Sequence, residues 1–156
     1  MESRAPERTE RDITGLLNMA GHALSSRLTV ALAEVGLSPR MQCVLVHALE
    51  QERTQIQLAA LADLDKTTMV ATVDALERQG LAERRASAAD RRARIVSVTE
   101  KGRAAAEEGQ RIVDRVHGEV LDALPQIDRA AFVEALSLLV EGAIAGPQAV
   151  RRPRSR

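Results

Sequence analysis

The chain has 156 residues, is 45% hydrophobic and 28% charged, and carries 22 basic and 22 acidic side chains. That length allows one domain with its own core, or one domain plus an appended interface, and the composition excludes a disordered or membrane-spanning class. A single cysteine, Cys43, excludes an internal disulfide framework; the charged start MESRAPERTERD lacks the apolar stretch of a secretory signal, so a cytoplasmic protein is expected.

In chain order, residues 1–11 read as a flexible N-terminus. Residues 12–35 then place Ile13, Leu16, Leu17, Ala20, Leu24, Leu28, Ala31 and Val35 at helical spacing, and Gly36 suits the stop. Ser38-Pro39 reads as an N-cap followed by a proline at the first helical position, opening a helix with Val44, Leu45, Ala48 and Leu49. Thr54 and Gln57 have capping-box spacing and start a short helix that ends near Ala62. After the turn Asp63-Leu64-Asp65, Asp65 caps a longer helix running to about Gln79 and stopping at Gly80. Short helix, three-residue turn and longer helix make a helix-turn-helix plan. Two β-like runs follow, about 81–86 and 93–98, joined by the loop 87–92. Two further helices are expected over about 100–122 and 128–145, and the arginine-rich residues 146–156 read as a disordered basic tail.

Charge is not spread evenly. Residues 78–99 carry six basic and two acidic side chains, while residues 1–77 carry seven and eleven. A concentrated cationic segment attracts a polyanion even when the total is zero. Phe132 is the sole aromatic residue, which argues against stacking on single-stranded bases and leaves double-stranded DNA as the expected polyanion.

On a helical projection of 66–79, Met69, Val73 and Leu76, with Val70 at the edge, form the side that docks on the domain. The other side carries Thr67, Thr68, Ala71, Ala75 and Arg78, with Thr72 on the flank. Such small polar residues let a helix lie deep in a major groove, while Lys66 and the helix N-terminus favour phosphate. In the second β-run Val96 and Val98 share a face that Arg94 continues toward the loop. Arg91, Arg92 and Arg94 make this hairpin a cationic wing suited to the minor groove, where guanidinium groups are favoured by the negative potential. Asp90, two residues before Arg92, is expected to orient that guanidinium or fix the turn. An ordinary solvated helix face and a surface ion pair are the bland alternatives.

With helix and wing both in place, the sequence resembles the MarR family of bacterial transcription regulators. The matching stretches are LSPRMQCVL (37–45), QLAALADLDKTTMVATVDALERQGLAERR (57–85) and DRRARIVSVTEKG (90–102). The resemblance implies a mainly α winged helix-turn-helix fold with a small β-hairpin wing, in which 37–99 form the DNA-binding domain. It implies that 12–36 and 100–145 supply N- and C-terminal helices of a dimerisation lobe. A homodimer on a near-palindromic operator is then expected, contacting DNA through Lys66, Thr67, Thr68, Ala71, Thr72, Arg91, Arg92 and Arg94. Leu136, Leu138, Leu139, Val140 and Ile144 exceed one helix face, which independently favours a dimer. The implied function is a repressor of its own or neighbouring genes, released by a small-molecule inducer between the two lobes.

The sensing side departs from the family, because no Tyr or Trp is available to stack on an aromatic acid. Met19, His22, Met41, Cys43 and His47 are the ligand-binding candidates, with ordinary packing as the competing explanation. Cys43 as a redox switch is an alternative, as is non-specific architectural DNA binding or a winged-helix protein scaffold. His22, His47 and His117 lack metal-ligand spacing, and no cofactor is expected. No glycine-rich phosphate loop, nucleophile elbow or paired acid and base supports an enzyme.

Overall fold

The computed structural model describes residues 12–88, 90 and 93–143, with Ala143 as backbone only. The expected flexible start and basic tail lie outside these residues. Among them are six helices, α1 (Ile13–Ala33), α2 (Pro39–Glu50), α3 (Gln55–Leu61), α4 (Lys66–Arg78), α5 (Glu100–Asp122) and α6 (Gln126–Leu138), and two strands, β1 (Ala82–Ala86) and β2 (Arg94–Val98). A π-turn, Leu139–Ala143, follows α6. None of the described helices is long and apolar enough to cross a membrane.

Local chemistry sets most of the boundaries. Asp12 Oδ1 accepts from Gly15 N at 2.9 Å to start α1, and Gly36 ends it with φ +72°, a left-handed value that glycine adopts without a Cβ penalty. Ser38 Oγ accepts from Met41 N, with Pro39 at the first position of α2. The capping box of α3 forms in both directions, Thr54 N donating to Gln57 Oε1 at 2.8 Å and Gln57 N to Thr54 Oγ1. Asp63, at φ +50°, turns the chain into α4, and Asp65 takes Thr68 N on Oδ1 and Thr68 Oγ1 on Oδ2. That doubly bonded carboxyl is held below its ordinary pKa, the Thr68 hydroxyl being the larger cause and the Thr68 backbone N–H the next.

By internal contacts the chain divides into two units, Met1–Val116 and His117–Arg156, with the division inside α5. In the first, Leu32, Val44, Leu45, Leu58, Met69, Val73, Leu76 and Val96 are fully buried, so every element from α1 to β2 except β1 sends at least one large side chain into one core. The strands pair antiparallel with Ala82 opposite Val98 and Ala86 opposite Arg94. Strict alternation predicts only Val96 and Val98 inside. Ile95 is buried as well, at the point where Thr54 forms an antiparallel β-bridge to it.

The start of α5 is locked to the end of α4. Thr99 Oγ1 donates to Gly80 O at 2.7 Å, Thr99 N to Leu81 O at 3.0 Å, and Gly102 N to Thr99 Oγ1 at 3.0 Å. Gly102 lies so close to Leu81 that a Cβ there would overlap the carbonyl. The buried positions of α5 are Gly102, Ala106, Gly109, Ile112 and Val116, a small-residue stripe at helical spacing.

In the second unit, α6 begins two residues before the expected 128, at Gln126 with Pro125 as its N-cap residue, and its α-helical part ends at Leu138 rather than 145. Pro125 fixes its own φ near the helical value, which allows the earlier start. No residue of α6 is buried. Of the apolar set expected at this end, Leu138 and Val140 are well exposed and Ile144 lies outside the described residues.

Candidate nucleic-acid interface

The α4 surface opposite the core is concave. Thr67, Thr68, Ala71, Thr72 and Ala75 line an open groove of about 360 Å³ together with Ser38 and Arg40 from the start of α2. Lys66, Thr67 and Ala71 are exposed, whereas Thr72 is buried and its hydroxyl donates to Thr68 O at 2.7 Å. Thr68 likewise donates its hydroxyl to Asp65, so only its lone pairs remain for a partner. The N-terminus of α4 is already capped by the Asp65 carboxylate, which leaves Lys66 as the phosphate-attracting group there. Arg40 was not among the residues expected from sequence. It belongs to another helix, and only the packing of α2 beside α4 brings it to this face.

The cations of the wing region divide in two. Arg84 faces inward: its Nη2 is 2.7 Å from Asp74 Oδ1, its Nε 3.1 Å from Gln55 Oε1, its Nη1 bonds Glu77, and its backbone N donates to Glu77 Oε1 at 2.9 Å. Arg85 pairs with Glu83. Arg94 is exposed at the loop end of β2, and Arg78 is exposed near the end of α4. Asp90 holds the loop through its backbone, its N donating to Ser87 Oγ at 3.4 Å and its carbonyl accepting from Ala93 N at 2.9 Å. Arg91 and Arg92 lie outside the described residues.

Of the five ligand candidates, Cys43 and His47 line one cavity of about 220 Å³ between α1, α2 and the first part of α5, walled by Leu28, Leu32, Gln42 and Val113. Met19 is 72% exposed, His22 is exposed, and Met41 belongs to the core; none lines the cavity. Helical spacing places these side chains on faces of α1 and α2 without saying how deep each face is covered. The Cys43 thiol is pushed up from its ordinary pKa, chiefly by burial and secondarily by the Glu50 charge. His47 Nδ1 meets Glu50 Oε2 at 3.2 Å, and Arg53 Nη1 meets the same oxygen at 2.8 Å. Arg53 also donates to the His47 carbonyl, while its own carbonyl accepts from Val96 N at 3.2 Å. A bonded path therefore runs from the cavity to the second wing strand. Among the described residues, no group of three or more His, Cys, Asp and Glu side chains is placed to hold a metal ion.

The sequence profile of the MarR family matches residues 35–93. A transcriptional regulator of the MarR family from Rhodococcus sp. RHA1 is 30% identical, with 86% of this chain and 96% of that one covered at a TM-score of 0.77. The chain belongs to the MarR family. Within this MarR fold it is also similar to CouR from Rhodococcus jostii RHA1, solved with p-coumaroyl-CoA, at 31% identity, 86% and 95% coverage and a TM-score of 0.74. A transcriptional repressor that also carries the name CouR has been solved on a 23-mer DNA duplex; it is 28% identical, with 82% of this chain and 92% of that one covered at a TM-score of 0.76. The mainly helical winged helix-turn-helix of the MarR family, with its two-stranded wing, is thus the fold of this chain.

Proposed function

We propose that this MarR-family chain is a sequence-specific DNA-binding repressor of its own or neighbouring genes, released by a small-molecule inducer, and not an enzyme. The concave α4 face carries the reading: small side chains, with Lys66 and Arg40 at its margins, match the needs of a helix seated in a major groove. Arg94 and, from the sequence, Arg91 and Arg92 would take the wing into the adjacent minor groove. A homodimer supplies two such faces. The exposed Ile13, Leu16 and Met19 on α1, and Ile127 and Leu138 on α6, are apolar surface that a second copy would cover. Relatives solved on DNA and with a ligand support the same picture.

The inducer site is the cavity at Cys43 and His47, whose bonded path through Glu50 and Arg53 reaches β2. A ligand is favoured over oxidation of Cys43 because a thiol with a raised pKa holds little of the reactive thiolate. Footprinting on the DNA upstream of the protein's own coding region, with random DNA as competitor, tests the whole reading. A protected near-palindrome with half-sites about one helical turn apart is the expected result. Protection that random DNA removes equally well would replace it with an architectural role.

A further inference from the structure

Three residues, Gln79, Gly80 and Leu81, join the end of α4 to the start of β1. Gly80 turns the chain at φ +69°, and the amides of the joint bond back into the helix: Gln79 N to Ala75 O, Gly80 N to Glu77 O and Leu81 N to Leu76 O. The three carbonyls of the joint are all taken by the start of α5. Lys101 Nζ donates to Gln79 O at 2.7 Å, Thr99 Oγ1 to Gly80 O at 2.7 Å, and Thr99 N to Leu81 O at 3.0 Å. Lys101 is the member of this set that its own helix does not explain. It is the second residue of α5, where the positive end of the helix dipole disfavours a cation. Toward α4 the same ammonium stands at the negative end of a helix, where a cation is favoured, and a compact ammonium suits a single carbonyl better than a forked guanidinium does. Gly102 beside it is a poor helix former whose place is set by its close approach to Leu81 O. Of the 22 basic residues only Lys66 and Lys101 are lysines, and they stand at opposite ends of α4.

We infer that Lys101 is a positioning residue for sequence discrimination: it fixes the joint between α4 and the wing without itself contacting DNA. The inference rests on the reading of α4 and the wing as the DNA-contacting elements. A sequence-specific complex needs the side chains of helix and wing in register at the same time, whereas a non-specific complex needs only charge near phosphate. Loss of the Lys101 bond frees one carbonyl of the joint and loosens that register, so it weakens the first kind of complex and spares the second. Lys66, exposed at the start of α4, acts instead as a phosphate-attracting charge.

Lys101→Met, Lys101→Arg and Lys66→Met, each in the full chain, test this with and without DNA; Lys101 is exposed, so its variants keep the core intact. Without DNA, the amides of Gln79, Gly80 and Leu81 should exchange hydrogen about threefold faster in Lys101→Met, with the core amides unchanged. Affinity for the footprinted DNA should fall about threefold per helix, hence about tenfold for a two-fold dimer, while affinity for random DNA and its salt slope stay at wild-type values. Lys101→Arg restores a charged donor and should recover most of both losses. Lys66→Met should show the opposite signature, weakening both DNAs and lowering the salt slope. Unchanged exchange at 79–81 in Lys101→Met, unchanged affinity for the footprinted DNA, or an equal loss on both DNAs with a smaller slope would each overturn the inference. Failure of the wild type to distinguish the two DNAs would remove the sequence-specific reading, and the exchange rates would still decide whether Lys101 holds the joint.

Discussion

Arg84 on β1 stands 2.7 Å from Asp74 on α4, so the first strand of the wing is ionically tied to that helix. Glu77 and Gln55 complete the set around the same guanidinium, which is 24% exposed and therefore partly screened by solvent. Arg84→Ala is expected to lower stability by about 1–2 kcal/mol, less than a fully buried charged network would cost. It should also weaken DNA binding, because wing and helix no longer hold a fixed spacing. Arg84→Lys should recover less than half, since an ammonium cannot fork between two carboxylates and an amide. Denaturant titration with DNA-binding assays on the three proteins checks both effects, and equal stability of Arg84→Ala and wild type would refute the tie.

Arg92 carries a different expectation, drawn from its place in the wing sequence. Arg92→Ala should weaken binding to the footprinted DNA by about 1–3 kcal/mol with thermal stability unchanged. Electrophoretic mobility shifts at several salt concentrations measure it; wild-type affinity in the variant would remove Arg92 from the interface.

Gly109 allows the Gln42 amide to lie flat on α5. A Cβ at 109 would overlap Gln42 Oε1, and the amide cannot move away without giving up its bond to Ala106 O. Gly109→Ala should therefore destabilise by about 1–3 kcal/mol, as overpacking does. Combining it with Gln42→Ala should cost less than the two single changes added together. Additivity in thermal melts would mean that the two residues do not press on one another.

Glu50 makes stability depend on acid. Its hydrogen bond from Arg53, then that with His47, holds the carboxyl below its ordinary pKa. A carboxylate with a depressed folded pKa stabilises the fold above the unfolded value of about 4 and loses that contribution as pH falls through the lower folded value. Glu50→Gln should accordingly flatten the acid limb of a plot of melting temperature against pH. A limb of unchanged slope would show that the ion cluster contributes nothing. The Glu50 side chain is 50% exposed, so the effect is expected to shrink in high salt.

Cys43 should be slow to react. Burial and the Glu50 charge both keep its thiol protonated at neutral pH. Iodoacetamide labelling is expected to lag well behind that of free cysteine, and DNA binding should survive hydrogen peroxide at doses that oxidise free thiols. Rapid labelling, with loss of DNA binding that Cys43→Ser prevents, would restore the redox alternative.

The sequence by itself determined the elements, because their signals are local. Ser38-Pro39, the Thr54 and Gln57 pair, Asp65, Gly36 and Gly80 each act on backbone within a few residues, and each sits where its chemistry predicts. The exception is the last helix, where no cap followed the apolar run to mark an end before 145. Tertiary structure alone decided which functional groups remain available. It turned Arg84 from a wing cation into an internal tie, brought Arg40 to the face of α4, committed the Thr72 hydroxyl to the backbone, and selected Cys43 and His47 from five cavity candidates. Side-chain spacing along a helix gives direction around its own axis. Depth and partnership depend on what the neighbouring elements place opposite, and that depends on residues distant in the chain.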